Sequence, residues 1–160
     1  MALCSEQGVP HKGWSEIDIK DLHEDEGLAF GDYEDCQFCG HEQIRFVHLL
    51  GHPSYPDIIR VGCICACDLT NDYKNPKERE RKLKSRASRK AQFPNRKWKQ
   101  TRYGGETISL DGYRVTIGQL RNGLYRIWIR SKEGTLTYPD ARAAKLCAFD
   151  AVQKMKEKGL

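Results

Sequence analysis

Five cysteines form two groups with the spacing of metal ligands. Cys36 and Cys39 make a C-x2-C pair followed by glycine, and Cys63, Cys65 and Cys67 make a C-x-C-x-C run. Thiolates in two clusters, each at a tight turn, are suited to tetrahedral zinc. Four protein ligands would close the coordination sphere, which favours a structural ion over a catalytic one. The sequence therefore predicts one structural zinc ion.

The run of three cysteines leaves the ligand set open, because it offers three thiolates for two positions. Cys67 could replace either of the other two, and His41 or His48 could supply the fourth ligand instead. The preferred set takes the first pair and the first two cysteines of the run: Cys36, Cys39, Cys63 and Cys65.

Composition indicates a reducing compartment. The chain has 160 residues and seven cysteines, an odd number, and its N-terminal sequence has no pattern of an export signal. No stretch reaches the roughly 18 apolar residues of a membrane span, and the mean hydropathy is −0.70. We expect a cytoplasmic protein without membrane contacts, in which cysteines hold metal rather than form disulfides.

Charge is divided unevenly along the chain, which has a net charge of +5. Residues 14–35 contain nine acidic residues and one lysine, whereas residues 77–102 contain twelve basic residues and two acidic ones. A basic run of this density predicts a polyanionic partner, since each Lys or Arg near a phosphate releases counterions. No pattern indicates a small-molecule substrate.

Two segments are expected to contact nucleic acid. Good helix formers over residues 77–92 predict a basic helix, and Trp98 and Tyr103 in the following linker could stack on bases. A later strand contributes further basic and aromatic side chains. The predicted contact residues are Arg79, Arg81, Lys82, Lys84, Arg86, Arg89, Lys90, Lys97, Trp98, Arg126, Trp128 and Arg130.

The elements that must position these residues predict an α+β protein. Residues 1–35 are expected to form an acidic arm, 36–76 a zinc module, 77–102 the basic helix and linker, and 103–160 a second small unit. Within the zinc module, apolar residues alternate from Ile44 to His48 in the pattern of a strand, and Ile58 to Val61 predicts a second strand, so a hairpin is expected. The expected order of knuckle, hairpin, second thiolate pair and a short helix from Ala66 is that of a treble clef.

The second unit has the alternating pattern of β-strands. Apolar residues alternate with polar ones around an Asn-Gly turn at residues 122–123, and Thr135 to Tyr138 extends the pattern. Apolar residues at steps of three and four follow from Pro139 to about Lys158. The sequence predicts three antiparallel strands and a C-terminal helix.

His48 supports an enzymatic alternative. The segment Val47 to Pro53 loosely resembles the first hairpin of HNH-type metal-dependent nucleases. That resemblance implies His48 as the catalytic residue, with Asn71 and Asp72 as the nearest candidates for the later positions. A further alternative is an adaptor that binds a protein partner through the acidic arm or the sheet.

Two C-terminal segments carry another resemblance, GLYRIWIR at 123–130 and AAKLCAFDA at 143–151. They resemble the three-strand-plus-helix DNA-binding domain of plant ethylene-response factors and phage integrase arms. The resemblance implies that the sheet enters the major groove of DNA. The side chains that would then face DNA are Arg114, Arg126, Trp128 and Arg130.

Residues 36–66 are similar to a group of bacterial and phage-associated proteins. The similarity lies in four motifs: C-x2-C-G, I-R-F-V-H, H-P-S-Y-P and V-G-C-I-C-A. The position of Cys67 is usually not cysteine in that group, so the resemblance implies Cys63 and Cys65 as ligands. It implies no activity. The leading prediction is a non-catalytic, zinc-stabilised nucleic-acid-binding protein, with DNA favoured over RNA.

Overall fold

The computed structural model describes residues 2–160 and confirms the α+β class. The chain divides into two compact units, the first ending at Ser85 and the second spanning Arg86–Leu160. The described residues form three antiparallel sheets of three, five and two strands. None of the helices in this part of the chain is long and apolar enough to cross a membrane.

The first unit contains a three-stranded and a two-stranded sheet. A 3-10 turn at Leu3–Ser5 precedes the strands and helices of this unit, which are β1 (Ser15–Asp21), α1 (Leu22–Asp25), β2 (Glu34–Asp35), β3 (Gln43–Ile44), β4 (Phe46–His52), β5 (Tyr55–Val61), α2 (Cys63–Thr70) and the start of α3 (Asn75–Gln92). The larger sheet has the order β1-β4-β5, and β2 pairs with β3. The hairpin of β4 and β5 was predicted from the pattern of apolar residues.

The acidic segment near the N-terminus supplies β1, an antiparallel partner of β4 that the sequence did not predict. A bulge between Glu16 and Asp18 shifts the register, so the strand lacks the simple two-residue alternation of a half-buried strand. Trp14 is 3% exposed, and the buried Asp21 accepts hydrogen bonds of 2.7 and 2.8 Å from the guanidinium of Arg45. These contacts anchor the acidic segment in the core of the first unit.

The second unit contains a five-stranded sheet and the C-terminal helix. After a 3-10 turn at Phe93–Asn95 the elements are β6 (Lys99–Gln100), β7 (Glu106–Leu110), β8 (Tyr113–Gln119), β9 (Tyr125–Ile129), β10 (Lys132–Glu133) and α4 (Ala141–Glu157). The strand order is β10-β9-β8-β7-β6. The prediction of three strands is wrong: it matched β8 and β9 but missed β7, β6 and β10, of which the last two have only two residues each. Its third strand, Thr135 to Tyr138, is a single bridge between Tyr138 and Tyr125.

The helix α4 packs on one face of this sheet, against β8 and β9. Asp140 caps it by accepting a hydrogen bond of 2.7 Å from the amide of Ala143, which satisfies one of the free N–H groups of the first turn. Because successive side chains of a strand alternate between faces, the residues between the buried ones lie on the opposite, open face. The buried residues of the core include Val115, Ile117, Ile127, Ile129, Ala144, Ala148, Phe149 and Val152.

The turn between β7 and β8 places a carboxylate among cations. Asp111 has a φ of 50°, a conformation that aspartate tolerates better than most residues, and its oxygens accept hydrogen bonds from Arg89, Gln153 and Lys156. Burial raises the pKa of Asp111, but these hydrogen bonds outweigh that cost and lower the pKa to about 2. The ionised carboxylate therefore holds the start of the second unit to the end of α4.

Replacing Asp111 with asparagine should destabilise the second unit at neutral pH by about 1 kcal/mol, after allowance for solvent screening. Because folding lowers the pKa of Asp111, the carboxylate adds stability at any pH above its pKa in the unfolded chain, which is about 4. That stability is lost as the pH falls towards the lower pKa of the folded state. The penalty should therefore shrink on acidification. Amide-exchange protection of β8, measured near pH 7 and near pH 2, checks this; an equal penalty at both would contradict it.

Candidate functional site

Three cysteine thiols converge in the first unit. Cys36 and Cys39 flank a turn in which the amide of Gly40 donates to the carbonyl of Cys36 at 2.8 Å, and Cys65 approaches from α2. The three sulfur atoms lie within 4.8 Å of one another, and the side chains of Cys36 and Cys65 are buried. This group could hold a metal ion, as the spacing predicted.

The backbone around Gly62 brings α2 close to this turn. The amide of Gly62 donates to the sulfur of Cys36 at 3.4 Å. A Cβ atom at Gly62 would lie 2.1 Å from a carboxylate oxygen of Glu42, so a side chain at this position would displace Glu42. Glycine thus allows the start of α2 to pack against the segment that carries the first cysteine pair.

Electrostatics favour a thiolate at Cys36. The hydrogen bond from the Cys65 thiol lowers the pKa of Cys36, and the backbone N–H groups of Cys39, Gly62 and Phe38 act in the same direction against the effect of burial. The same hydrogen bond raises the pKa of Cys65. Thiolates are the form that binds metal, so these contacts favour the ligating form of Cys36.

Of the four preferred ligands, three lie in this group and Cys63 does not. The thiol of Cys63 lies instead with His48 and Glu80, in a second group whose ligand atoms are within 4.8 Å of one another. Cys67 is buried, and the predicted alternate ligand His41 is exposed and belongs to neither group. Burial and the neighbouring Glu80 raise the pKa of Cys63.

His48 is fully buried between two carboxylates. Its Nδ1 lies 2.8 Å from an oxygen of Glu16, and its Nε2 lies 3.0 Å from an oxygen of Glu80. Burial lowers the pKa of His48, but the hydrogen bonds to Glu80 and Glu16 outweigh it and raise the pKa. Burial likewise opposes ionisation of Glu80, whereas hydrogen bonds from His48, Lys84 and Cys63 lower its pKa to about 2. A ring enclosed in this way presents no nitrogen to a phosphodiester.

The sequence did not identify Glu16 or Glu80 as partners of His48, because each lies 32 residues away along the chain. One feature could have indicated that partners exist. His48 lies between Val47 and Leu49 in an apolar strand, which predicts burial on both faces. A buried imidazole requires hydrogen-bond partners, although the sequence does not show where they come from.

Most predicted basic contacts on α3 already have acidic partners. Arg79 contacts Glu16 at 2.8 Å and Arg89 contacts Asp111 at 2.9 Å. Four others also lie within 4.0 Å of carboxylates, namely Lys82, Lys84, Arg86 and Lys90. Arg81 is exposed and lines a surface groove with Tyr73 and Lys77. The helix is therefore less available to a polyanion than its composition suggested.

The open face of the five-stranded sheet carries a groove of about 530 Å³. Trp128 lies on Gly118 of the neighbouring strand, where a Cβ would be 3.3 Å from the indole, and Tyr103 at the rim is 90% exposed. A Cβ at Gly105 would meet the carbonyl oxygen of Ile117 at 2.6 Å. The two glycines keep the floor of the groove flat beside the aromatic rings.

The remaining predicted contacts are placed differently. Trp98 donates from its indole to the carbonyl of Phe93 and packs against that ring at 5.1 Å. The Lys145 ammonium lies 4.7 Å from the same indole, so Trp98 belongs to the packing of the second unit. Arg126 pairs with Glu133. Two predicted contacts are exposed, Lys97 and Arg130.

The two units have net charges of opposite sign. The second unit has 17 Lys and Arg against six Asp and Glu, a net charge of +11, whereas the first has ten against 16, a net charge of −6. Lys99, Arg102 and Arg114 have no carboxylate partner among residues 2–160. The second unit therefore carries cations without carboxylate partners as well as the aromatic groove.

No protein family, characterised protein or solved structure matches the chain significantly. The resemblances to a bacterial and phage-associated group and to the three-strand-plus-helix DNA-binding domain therefore have no support from these comparisons.

Proposed function

We propose that the chain is a zinc-stabilised, non-catalytic nucleic-acid-binding protein that prefers DNA to RNA. The observation that carries the proposal is the aromatic groove around Trp128, on the open sheet face of a unit with a net charge of +11. A flat ring can stack on any base, and surrounding Lys and Arg side chains attract the backbone phosphates. Together they describe a surface suited to a nucleic-acid strand.

The metal has a structural role in this proposal. Cys36, Cys39 and Cys65 would hold zinc, since thiolates bind zinc in preference to harder cations such as magnesium. The ion would join the knuckle to α2 beside the hairpin, in the order of elements of a treble clef. Because the first unit has a net charge of −6, its zinc site serves folding and not contact with phosphate.

The contact surface is expected to combine stacking and charge. Trp128 and Tyr103 offer aromatic rings. Thr116 of β8 pairs with Trp128 in the sheet register, and Arg114 lies on the same face of β8 as Thr116. Lys99 belongs to β6 at the edge of the sheet, and Arg102 follows this strand in the chain. This surface uses cations without carboxylate partners, in contrast to the paired cations of α3.

Binding of the full chain should weaken steeply as salt rises. For about five phosphate contacts, the slope of log K against log salt on duplex DNA should be about −4.5, because each contact releases counterions. Fluorescence anisotropy with duplex DNA, single-stranded DNA and RNA of one length measures affinity and preference. Undetectable binding to all three at low salt would contradict nucleic-acid binding, and tighter binding to RNA would contradict the preference for DNA.

The two alternatives gain no support from this geometry. The HNH-like hypothesis requires His48 to reach a phosphodiester, and its side chain is 0% exposed. A protein adaptor remains a hypothesis, because the exposed aromatic and basic surface is explained by a nucleic acid without a protein partner.

A further inference from the structure

The helix α2 presents its three cysteines to different sides. A helix advances about 100° per residue, so Cys63 and Cys65 point in opposite directions, while Cys67 returns to the side of Cys63 one turn later. The contacts follow this geometry, because Cys65 joins the three-cysteine group and Cys63 lies against His48 and Glu80. A single ion cannot readily take both Cys63 and Cys65 from one regular helix.

We propose that His48, Cys63 and Glu80 bind a second zinc ion. Their ligand atoms lie within 4.8 Å of one another, and His48 Nε2 is 3.0 Å from Glu80 Oε2. Zinc bonds of about 2.0–2.3 Å place tetrahedral ligands roughly 3.3–3.8 Å apart, so a small adjustment of these side chains admits the ion. Nitrogen, sulfur and oxygen ligands together suit zinc, whereas magnesium and calcium prefer oxygen alone.

The surroundings of His48 match those of a metal-bound histidine. Its Nδ1 lies 2.8 Å from Glu16, whose side chain is 5% exposed. Ligating histidines commonly donate their second ring N–H to a carboxylate, which fixes the orientation of the ring. That hydrogen bond leaves Nε2 directed towards Cys63 and Glu80. Arg79 holds the other oxygen of Glu16 at 2.8 Å, so the outer carboxylate is itself fixed.

Glu80 is held in place by a contact outside the cluster. Its side chain is largely buried, and Lys84 contacts its Oε1 at 3.0 Å, so Oε2 is the oxygen that faces His48. Arg79 and Lys84 already balance the charges of Glu16 and Glu80, so ligand type and geometry, rather than charge, favour zinc here. Zinc would take the place of the hydrogen bond between His48 Nε2 and Glu80 and release a proton.

Zinc stoichiometry of the full chain tests the second site. Native mass spectrometry should find two zinc ions per wild-type chain, and Cys63→Ser should lose one ion and keep the other. Cys147→Ser, in the second unit, is the matched control and should keep both. One ion or none in the wild-type protein, or two ions in Cys63→Ser, would overturn the proposal.

A measurement on the wild-type protein avoids any effect of the variants on folding. X-ray absorption at the zinc edge counts sulfur ligands by their longer bonds, about 2.3 Å against about 2.0 Å for nitrogen and oxygen. Two sites with three and one thiolates should average about two sulfurs per zinc. An average of three or more would overturn the second site. Neither measurement involves nucleic acid, so the proposed function stands or fails separately.

Discussion

Replacing Cys65 with serine is expected to release zinc from the three-cysteine group and to unfold most of the first unit. Structural zinc contributes about 10–16 kcal/mol in small zinc-binding peptides, whereas a whole domain is stable by only about 5–15 kcal/mol. Loss of one thiolate should remove several kcal/mol of that binding energy. β4 and β1 pack directly against α2, so the loss should spread through the sheet.

Amide hydrogen exchange followed by mass spectrometry can separate the two units in one experiment. Protection should fall in β4, β5 and α2 of Cys65→Ser and remain in β8, β9 and α4. Cys147→Ser controls for loss of a thiol outside both groups and should leave the pattern unchanged. Chelation of wild-type protein should reproduce the effect of Cys65→Ser. A folded first unit after complete removal of zinc would contradict a structural role for the metal.

The parts of the fold that could be predicted are those encoded locally. The spacing of Cys36 and Cys39 identified the knuckle, and alternating apolar residues identified the hairpin that follows it. The start of α2 was predicted wrongly: the sequence suggested a helix from Ala66, whereas α2 begins at Cys63. That difference matters, since it turns an apparent C-x-C ligand pair into two side chains on opposite sides of a helix.

Contacts between distant segments could not be predicted. Glu16 on β1 and Glu80 on α3 meet at His48 only after the sheet and helices have assembled. The cations of α3 are a second example: the sequence counts them, but folding supplies Glu16, Asp111 and Asp150 as partners. Composition thus could not show which cations have carboxylate partners, and contact of α3 with a polyanion stays a prediction.

Replacing Trp128 with alanine is expected to weaken nucleic-acid binding without changing its dependence on salt. Stacking of one base on an aromatic ring is worth about 1–3 kcal/mol, which corresponds to a dissociation constant roughly 5 to 150 times higher. The indole carries no charge, so the number of released counterions and the slope of log K against log salt should stay the same. A structural role for Trp128 would instead reduce amide protection across β8 and β9.

Two further variants separate stacking from charge and from a general loss of aromatic surface. Arg114→Gln should lower the affinity and also reduce the salt slope by about 0.9, because one phosphate contact is removed. Phe30→Ala is the matched aromatic control, since Phe30 is 92% exposed but belongs to the acidic first unit; its affinity should be unchanged. Anisotropy titrations at several salt concentrations give both quantities. If Trp128→Ala binds as tightly as the wild type, the groove is not the binding surface, and any affinity that remains must come from cations elsewhere.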